Sequence, residues 1–580
     1  SDLWHTLIEA DNYHALQLLE YLYAGKVDCI YIDPPYNTGA KDWKYNNDYV
    51  DGNDTYRHSK WLSMMEKRLQ LAKKLLNPND SVLIVTIDEK EYLHLGCLLE
   101  EIFSEARMQM VTSVISAKGV VRTGQFSRVE EYIFVIEFGS SSLVPGIYNM
   151  LDNEVKKESE RSIEWLGFRR RAPQAKRESR PNQFYPVFVR KDDGTIHSIG
   201  DVVKAGIDRN SIEIPDGCIA LWPLSKDSDE RLWSLVPEQA RLNLSKGFLR
   251  VNNWSSKEKT GTVYYLPSGT IRDIETGKAV ITGRNPDGSV IAKYTDEGVT
   301  PPKRVWNMKT HNAETYGTNV LNAMIGKRFN YPKSLYAVQD TLRFFVANKP
   351  NALIVDFFAG SGTTLHAVNL LNAEDGGHRR CILVTNNEVS ADEAKTLSAQ
   401  GYQPGDPEWE QYGIARYVTW PRTVCSIEGH DVNGKPLKGD YITSGEEPMH
   451  MADGFKANAA FFKLGFLDKN AVALGRQFKE LLPVLWLKAG AHGPCPSLEE
   501  AAEVPAMLVL PENHFAVLTD ESQYETFATQ VNIEDVITTV YIVTDSEPGY
   551  REMISGLHAE DTYQLYRDYL DNFRINHGGR

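Results

Sequence analysis

Residues 356–364 read Asp356-Phe357-Phe358-Ala359-Gly360-Ser361-Gly362-Thr363-Thr364, between an apolar run at 353–355 and a helix-like run at 363–371. A strand that feeds a Gly-rich turn and then a helix is typical of nucleotide sites, because glycine lets the backbone approach a ligand closely. No Lys follows Gly362, so the turn is not a phosphate-binding P-loop. Leu365 also stands where the dinucleotide fingerprint has its third Gly. The stretch therefore predicts a ligand-binding turn in an α/β sheet.

A second informative stretch is Asp33-Pro34-Pro35-Tyr36-Asn37, which follows an apolar run at residues 27–32. Proline cannot continue a central strand, so the pattern predicts a buried strand and then a sharp, rigid loop. A loop of this kind suits an exocyclic amine of a base as substrate. Such an amine is a poor nucleophile, because its lone pair is delocalised into the ring, and it needs acceptors for its hydrogens. The Asp33 carboxylate and the Pro34 carbonyl are suitable acceptors, and Pro35 helps to fix the backbone. Tyr36 offers a face on which a base can stack.

Strand-like and helix-like runs alternate on both sides of these stretches, which is the pattern of an α/β sheet covered on both faces. The first block has strands at 27–32, 81–86, 110–115 and 132–138 and helices at 57–76 and 89–103. The second block has strands at 353–355 and 381–385 and a helix at 363–371. Neither block is large enough alone, so we expect the second to complete the sheet of the first.

The pattern divides the chain into four predicted regions. Residues 1–148 form the half of the core with the Asp33 loop, and residues 309–431 form the half with the Gly-rich turn. Residues 149–308 form an irregular α+β insert, rich in short strands and turn pairs. Residues 432–580 form a C-terminal α/β domain, with strands at 506–510 and 538–543 and a terminal helix near 563–573.

Together the two stretches resemble the β class of DNA amino-methyltransferases, in which the Asp-Pro-Pro-Tyr loop precedes the Gly-rich turn and a target-recognition region lies between them. The segment between them resembles the modification subunits of type III restriction systems, and phage-defence adenine methylases share the layout. The matching strings include Arg180-Pro181, Asn312-Ala313-Glu314 and Tyr331-Pro332-Lys333-Ser334. The resemblance covers about residues 8 to 430. It implies a Rossmann-like, S-adenosylmethionine-dependent methyltransferase sheet.

The resemblance also implies roles for individual residues. Asp33, Pro34, Pro35 and Tyr36 match the catalytic positions. Asp11 resembles the acidic residue that approaches the adenine amine of the cofactor, although Ala10 replaces the usual Gly before it, and Lys333 would line the methionine end of the pocket. Glu388, after the strand at 381–385, matches the acid that binds the ribose. The full predicted cofactor set is Asp11, Asn12, Lys333, Asp356, Phe357, Phe358, Gly360, Ser361, Gly362, Thr363 and Glu388.

Charge is unevenly distributed along the chain. The net charge is −15, but residues 156–190 hold ten basic and four acidic side chains, a net charge of +6. Cationic side chains here could contact DNA phosphates, and the candidates are Arg169, Arg170, Arg171, Lys176, Arg177 and Arg180. Residues 441–580 hold ten basic and twenty-one acidic side chains, a net charge of −11. This acidic region repels phosphate, so we expect it to bind a protein partner or a second copy of the chain, or to buttress the core.

Other features exclude some classes of protein. No apolar run reaches the length of about 18 residues that a membrane span needs. The six cysteines form no Cys-x-x-Cys pair, so neither a metal site nor a disulfide framework is predicted. A reducing cytoplasm fits this cysteine usage.

The expected function is transfer of a methyl group from S-adenosylmethionine to adenine N6 in duplex DNA, in restriction-modification or phage defence. N4-cytosine is the main chemical alternative, because the same acceptors suit either amine. A methyltransferase acting on RNA or on protein amides is a weaker alternative, because it normally has the cofactor motif first and no large insert. A non-catalytic DNA-binding subunit of a defence complex is a further alternative.

Overall fold

The computed structural model describes residues 2–36, 56–119, 123–146, 148–151, 163–170, 176–225, 227–275, 278–294, 302–445, 447–465, 478–499 and 503–565. The chain divides into two compact units. The larger unit comprises residues 1–153 and 302–580, and the smaller one, inserted into it, comprises residues 154–301.

The larger unit is built on a nine-stranded sheet. Elements are numbered along the chain, and the nine strands are β1 (Trp4–Glu9), β2 (Cys29–Ile32), β3 (Asp80–Ile87), β4 (Arg107–Val114), β5 (Glu130–Gly139), β14 (Val305–Trp306), β15 (Leu353–Asp356), β16 (Arg380–Thr385) and β19 (Asn458–Lys463). Their order in the sheet is β14-β4-β5-β3-β2-β15-β16-β1-β19. Of these strands, β5 alone runs antiparallel to its neighbours.

Successive side chains of a strand point to opposite faces of the sheet. Both faces of this sheet carry apolar clusters, and helices cover both. In β2, Ile30 joins the apolar cluster on one face and Tyr31 the cluster on the other. The helices of the larger unit are α1 (Asn12–Tyr23), α2 (Arg57–Leu75), α3 (Tyr92–Ile102), α6 (Asn319–Ile325), α7 (Leu335–Val346), α8 (Thr363–Asp375), α9 (Ala391–Ala399), α10 (Pro407–Glu410), α11 (Trp420–Glu428), α12 (Phe478–Lys488), α13 (Tyr524–Ile533) and α14 (Glu547–Ile554). The predicted two-faced α/β sheet and its completion by the second block are confirmed.

The centre of the sheet is a topological switch point. Strand β2 continues through α2 to β3 on one side, whereas β15 continues through α8 to β16 on the other. The neighbouring strands β2 and β15 are parallel, with Ile354 opposite Cys29 and Val355 opposite Ile30. Crevices for ligands open at the carboxyl ends of strands at such a point. The loop after β2 and the turn after β15 therefore meet there.

The smaller unit contains short antiparallel sheets, as the irregular pattern of the insert predicts. The sheets have the orders β8-β7-β9, β10-β11-β6 and β12-β13. Its elements are β6 (Leu166–Gly167), β7 (Val187–Arg190), β8 (Ile196–Ile199), β9 (Cys218–Leu221), α4 (Pro237–Lys246), β10 (Leu249–Ser255), β11 (Thr260–Tyr265), α5 (Ser268–Glu275), β12 (Ala279–Arg284) and β13 (Val290–Tyr294).

The C-terminal region is part of the larger unit, so the predicted boundary at residue 432 is wrong as a boundary between compact units. Strand β19 pairs with β1 along its whole length, and α12 packs on α1, where the Tyr23 hydroxyl donates to the Leu487 carbonyl at 2.8 Å. The same region also contains the hairpin of β17 (Asp440–Tyr441) and β18 (Met449–His450). It also contains a four-stranded sheet of β20 (Met507–Leu510), β21 (Phe515–Leu518), β22 (Thr539–Val543) and β23 (Asp561–Leu565).

The predicted terminal helix is also wrong where the chain is described. Tyr563 lies in β23, which pairs in parallel with β22, and its ring stacks on Tyr541 at a centroid distance of 5.6 Å. Helical spacing of aromatic residues is outweighed here by pairing with a strand that is distant in sequence. The remainder of the predicted helix lies outside the described residues.

We expect Trp486→Ala to destabilise the whole larger unit. Trp486, on α12, is fully buried, and its ring packs edge-on against Trp4 of β1 at 5.9 Å. Removing a buried Trp costs about 3–5 kcal/mol, whereas Val536→Ala on the surface should change stability by less than about 0.5 kcal/mol. Calorimetry should show one shared transition of the larger unit at a lower temperature. A separate C-terminal transition that moves alone would contradict this packing.

Candidate active site

The loop after β2 is held in place by its two neighbours. The Trp61 indole on α2 donates to the Pro35 carbonyl at 2.8 Å, and the Thr86 hydroxyl on β3 donates to Asp33 Oδ1 at 2.6 Å. Asp33 and Pro35 line a cleft, while Pro34 is buried. The loop therefore presents the Asp33 carboxylate to the cleft in a fixed orientation.

A buried cluster of charged and phenolic groups surrounds this carboxylate. The Lys333 ammonium contacts the Tyr36 hydroxyl and Glu131 Oε2, and it lies 3.4 Å from Asp33 Oδ1. The Tyr36 hydroxyl also donates to Glu131 Oε2 at 3.1 Å, and the Lys333 ammonium lies 4.8 Å from the centre of the Tyr36 ring. One cation is thus shared by two carboxylates and fixes the aromatic ring between them.

Burial and the neighbouring carboxylates act in opposite directions on the pKa of Lys333 and in the same direction on the pKa of Tyr36. Burial favours the neutral form of Lys333, but the negative charges of Asp33 and Glu131 outweigh it and raise the Lys333 pKa, so the side chain is a cation at neutral pH. Burial, together with the same two carboxylates, holds the pKa of Tyr36 well above its ordinary value. Tyr36 is therefore a neutral phenol.

Sequence reasoning missed Glu131, and its assignment of Lys333 stays a prediction. Glu131 is a buried acid at the start of β5, directly before Tyr132, and no local pattern indicates that it reaches the site. Lys333 was expected at the methionine end of the cofactor pocket. It does line the cleft, but its ammonium contacts the residues of the Asp33 loop.

The turn after β15 has the predicted strand-turn-helix form. Gly360 has a φ of 51° and Gly362 has a φ of 81°, a left-handed conformation that side chains disfavour. The Asp356 carboxylate caps the turn: it accepts from the Phe358 amide at 3.0 Å and from the Thr364 hydroxyl at 2.6 Å. Burial raises the pKa of Asp356 to about 7, against the opposing effect of these hydrogen bonds.

Two residues that sequence reasoning did not single out hold this turn in place with hydrogen bonds. Thr419 ends a π-helical turn (Ala415–Thr419), and its hydroxyl donates to the Gly360 carbonyl at 2.6 Å. Arg422, on α11, donates to the side-chain oxygens of Ser361 and Thr363. Both lie some 60 positions further along the chain, so no local pattern indicates them.

The remaining predicted cofactor residues lie around the same edge of the sheet. Asn12 donates to the Phe357 carbonyl at 2.9 Å and so ties α1 to the turn. Asp11 caps α1 through the Tyr13 amide and forms an ion pair with Arg68 at 3.6 Å. Glu388 follows β16 and is half-buried. The predicted site residues that do not line the cleft at this edge are Asp11, Asn12, Pro34, Tyr36, Phe357, Gly362 and Glu388.

The cleft joins the two stretches singled out in the sequence. It encloses about 490 Å³, including its open mouth, and lies at the switch point between β2 and β15. The lining residues are Tyr31, Asp33, Pro35, Phe329, Tyr331, Pro332, Lys333, Val338, Asp356, Phe358, Ala359, Gly360, Ser361, Thr363 and Thr364.

A group of side chains with metal-ligand chemistry lies near the loop, although no metal site was predicted. His58, Glu91 and His94 bring one ligand atom each within 4.8 Å of one another. His58 Nδ1 lies 2.6 Å from Glu91 Oε1, and Arg57 donates to His58 Nε2 at 3.3 Å. Because arginine can only donate, His58 Nε2 is an acceptor and Nδ1 carries the proton. Both ring nitrogens are thus used in a hydrogen-bonded network.

The six basic residues predicted to contact DNA differ in accessibility. Arg177 is buried: it forms an ion pair with Glu230 at 2.9 Å and donates to carbonyls including that of Val203, so the prediction that it contacts phosphate is wrong. Lys176 and Arg180 are exposed. Arg169 and Arg170 are half-buried and donate to the carbonyls of Leu224 and Ser234. Arg171 lies outside the described residues.

Comparison with known proteins identifies the family. A family model for N6 and N4 enzymes, described as DNA methylase, matches residues 27–395, more than half of the chain. The chain belongs to this DNA methylase family. The predicted family and its Rossmann-like fold are therefore confirmed. In the described part of this methylase, no helix is long and apolar enough to cross a membrane.

Curated proteins similar to this chain include Mod subunits of type III restriction-modification enzymes and a type II methyltransferase. It is 28% identical to the type III EcoPI Mod subunit of Escherichia phage P1, across 68% of this chain and 59% of that protein. It is 28% identical to the type II methyltransferase M.KpnI of Klebsiella pneumoniae, across 65% of this chain and 79% of that protein. It is 26% identical to the StyLTI Mod subunit of Salmonella typhimurium, across 84% and 70%. The chain thus spans just under three fifths of the EcoPI subunit.

The pKa of Asp356 predicts a pH dependence of stability. Its pKa in the folded protein, about 7, is above the ordinary value of 3.8, so folding favours the protonated form. The stabilisation is complete below about pH 4 and is lost as the pH rises through 7. We therefore expect the melting temperature of the larger unit to fall less between pH 5 and 8 in Asp356→Asn than in wild type. Asp535→Asn, at an exposed position, should follow the wild type. Parallel curves for Asp356→Asn and wild type would contradict the assignment.

Proposed function

We propose that this methylase transfers a methyl group from S-adenosylmethionine to the N6 amine of adenine in duplex DNA. The observation that supports the proposal most directly is the single cleft lined by both Asp33 and the turn at Gly360. A methyl donor held at the turn and an amine held at the loop would lie next to each other.

The residues of the turn fit such a cofactor. The left-handed glycines leave room for a ligand against the backbone, and the N-terminus of α8 with the Ser361 and Thr363 hydroxyls provides hydrogen-bond donors. When bound, the cofactor supplies an electrophilic methyl group on a positively charged sulfur. Phe358, Gly360, Ser361 and Thr363 would hold it, with Asp11 at its adenine and Glu388 at its ribose, as the family resemblance implies.

The loop residues would prepare the amine. Asp33 and the Pro34 carbonyl accept its two hydrogens and increase the electron density on nitrogen. Thr86 and Lys333 orient the carboxylate, through a hydrogen bond from the Thr86 hydroxyl and the nearby Lys333 ammonium. The ring of Tyr36, fixed through its hydroxyl, stacks on a base turned out of the duplex.

Adenine is favoured over cytosine because an Asp before Pro-Pro-Tyr resembles adenine enzymes more than cytosine enzymes. N4 of cytosine is the alternative target, since it is also an exocyclic amine next to a ring nitrogen. Restriction-modification is the favoured setting, because the relatives in phage P1 and Salmonella are named Mod subunits of such enzymes. A restriction subunit or a second copy of this chain is accordingly the proposed partner. All six cysteines are free, which supports a cytoplasmic location.

We expect Asp33→Ala to lower the methylation rate by at least about 100-fold, which is the range for positioned acid–base groups. Binding of S-adenosylhomocysteine should change little, because Asp33 faces the amine. The assay uses unmethylated genomic DNA and labelled cofactor, with the exposed Asp535→Ala as the matched control. Near-normal turnover by Asp33→Ala would show that the loop is not the catalytic one.

We expect Tyr36 to act through its ring. Loss of base stacking costs about 1–3 kcal/mol, so Tyr36→Ala should lower kcat/KM for DNA by roughly 10- to 100-fold. Tyr36→Phe keeps the ring and removes only the contacts that the hydroxyl makes with Lys333 and Glu131, so kcat/KM should fall by no more than about threefold. Equal damage from both substitutions would show that the hydroxyl, and not the ring, is what matters.

A further inference from the structure

Arg422 is a fully buried cation directly behind the turn that lines the cleft. In the described parts of the chain, none of the ion pairs involves its guanidinium. Burial lowers the pKa of Arg422 to about 10, so it still carries its charge at neutral pH. Burying a charge without a counter-charge is costly. A buried cation of this kind indicates that the protein uses its positive electrostatic field.

The contacts of Arg422 lead towards the cleft. Nη1 donates to Ser361 Oγ at 3.1 Å and to Thr363 Oγ1 at 2.8 Å, and both residues line the cleft. On its other side, Nη2 lies 3.4 Å from His366 Nδ1. Burial and Arg422 hold the pKa of His366 well below its ordinary value, so this neighbour is neutral and adds no charge.

The hydroxyls of Ser361 and Thr363 each have one hydrogen to donate and can also accept hydrogen bonds. Arginine has only donors, so Ser361 Oγ and Thr363 Oγ1 both accept from Arg422. The two oxygens lie 3.2 Å apart, and one hydroxyl hydrogen suffices for the bond between them. The second hydroxyl hydrogen remains as a donor at the wall of the cleft.

Two sources of positive electrostatic potential therefore act at this end of the cleft. One comes from Arg422, and the other from the N-terminus of α8, a helix of 13 residues whose N-cap is Gly362. Asp356, the acid of the turn, accepts hydrogen bonds from Phe358 and Thr364. The positive potential and the hydroxyl donor together suit a carboxylate.

We propose that Arg422 is a positioning residue that, through Ser361 and Thr363, makes this end of the cleft a carboxylate subsite for the amino-acid end of the cofactor. The inference rests on the proposed function, because the α-carboxylate is the anionic group of S-adenosylmethionine and S-adenosylhomocysteine. It adds a buried residue, far away in sequence, that selects this anion without touching it.

The test compares two ligands by calorimetry on the full chain: S-adenosylhomocysteine and its decarboxylated analogue, S-adenosyl-3-thiopropylamine. Hydrogen bonds to charged groups predict that Arg422→Met weakens S-adenosylhomocysteine by about 10- to 100-fold and the analogue by less than about threefold. Arg422→Lys keeps the charge and should lie in between. The matched control is Arg379→Met, because Arg379 is an equally buried arginine that pairs with Asp375, away from the turn. It should leave the ratio of the two affinities unchanged.

Equal weakening of both ligands by Arg422→Met would overturn the inference and leave Arg422 a purely structural residue. If Arg422→Met does not fold, Thr363→Val decides, because it removes a hydroxyl of nearly equal volume and should lower the same ratio. A wild type that binds both ligands equally well would also overturn the carboxylate subsite, with the proposed function intact. A wild type that binds neither ligand would overturn the proposed function as well.

Discussion

The parallel pairing of β2 with β15 is the constraint on which the rest of the structure depends. These strands are more than 300 positions apart in the chain, yet they are neighbours in the sheet. Because their connecting helices diverge, the carboxyl ends leave a crevice that no crossover covers. The pairing places the Asp33 loop and the Gly-rich turn next to each other. A register error between these strands would separate the proposed amine site from the proposed cofactor site.

The charges around the crevice are arranged in two opposed sets. At the loop, the Lys333 ammonium lies between the carboxylates of Asp33 and Glu131, which together outweigh it. Behind the turn, Arg422 has no acidic partner in the described residues. A ligand with a positive sulfur and a negative carboxylate would experience both sets. The direction of the field along the cleft would then orient such a cofactor before any base enters.

Local patterns in the sequence predicted the elements that carry local chemistry. The strand-turn-helix at Asp356 and the strand-loop at Asp33 depend on glycine, proline and apolar runs that act over a few residues. Side chains that act across the fold gave no such pattern. Glu131 and Arg422 reach the site from β5 and α11, and only the tertiary packing brings them there.

The same limit explains the errors. Arg177 was taken for a surface cation because it lies in a basic run, but its guanidinium is used by Glu230 and by backbone carbonyls. The C-terminal region looked independent because both motifs are complete before it, but β19 extends the central sheet next to β1. Strand pairing between distant segments cannot be inferred from the period of either segment alone.

The measurement that tests the central claim most directly is the chemical identity of the product. Unmethylated genomic DNA would be incubated with the purified protein and S-adenosylmethionine that carries an isotopic label on its methyl group. The DNA would then be digested to nucleosides and separated by mass spectrometry. The account predicts that the label appears in N6-methyladenine. Label found in N4-methylcytosine would contradict the assigned base, and intact unlabelled DNA under conditions where the cofactor binds would contradict the assigned reaction.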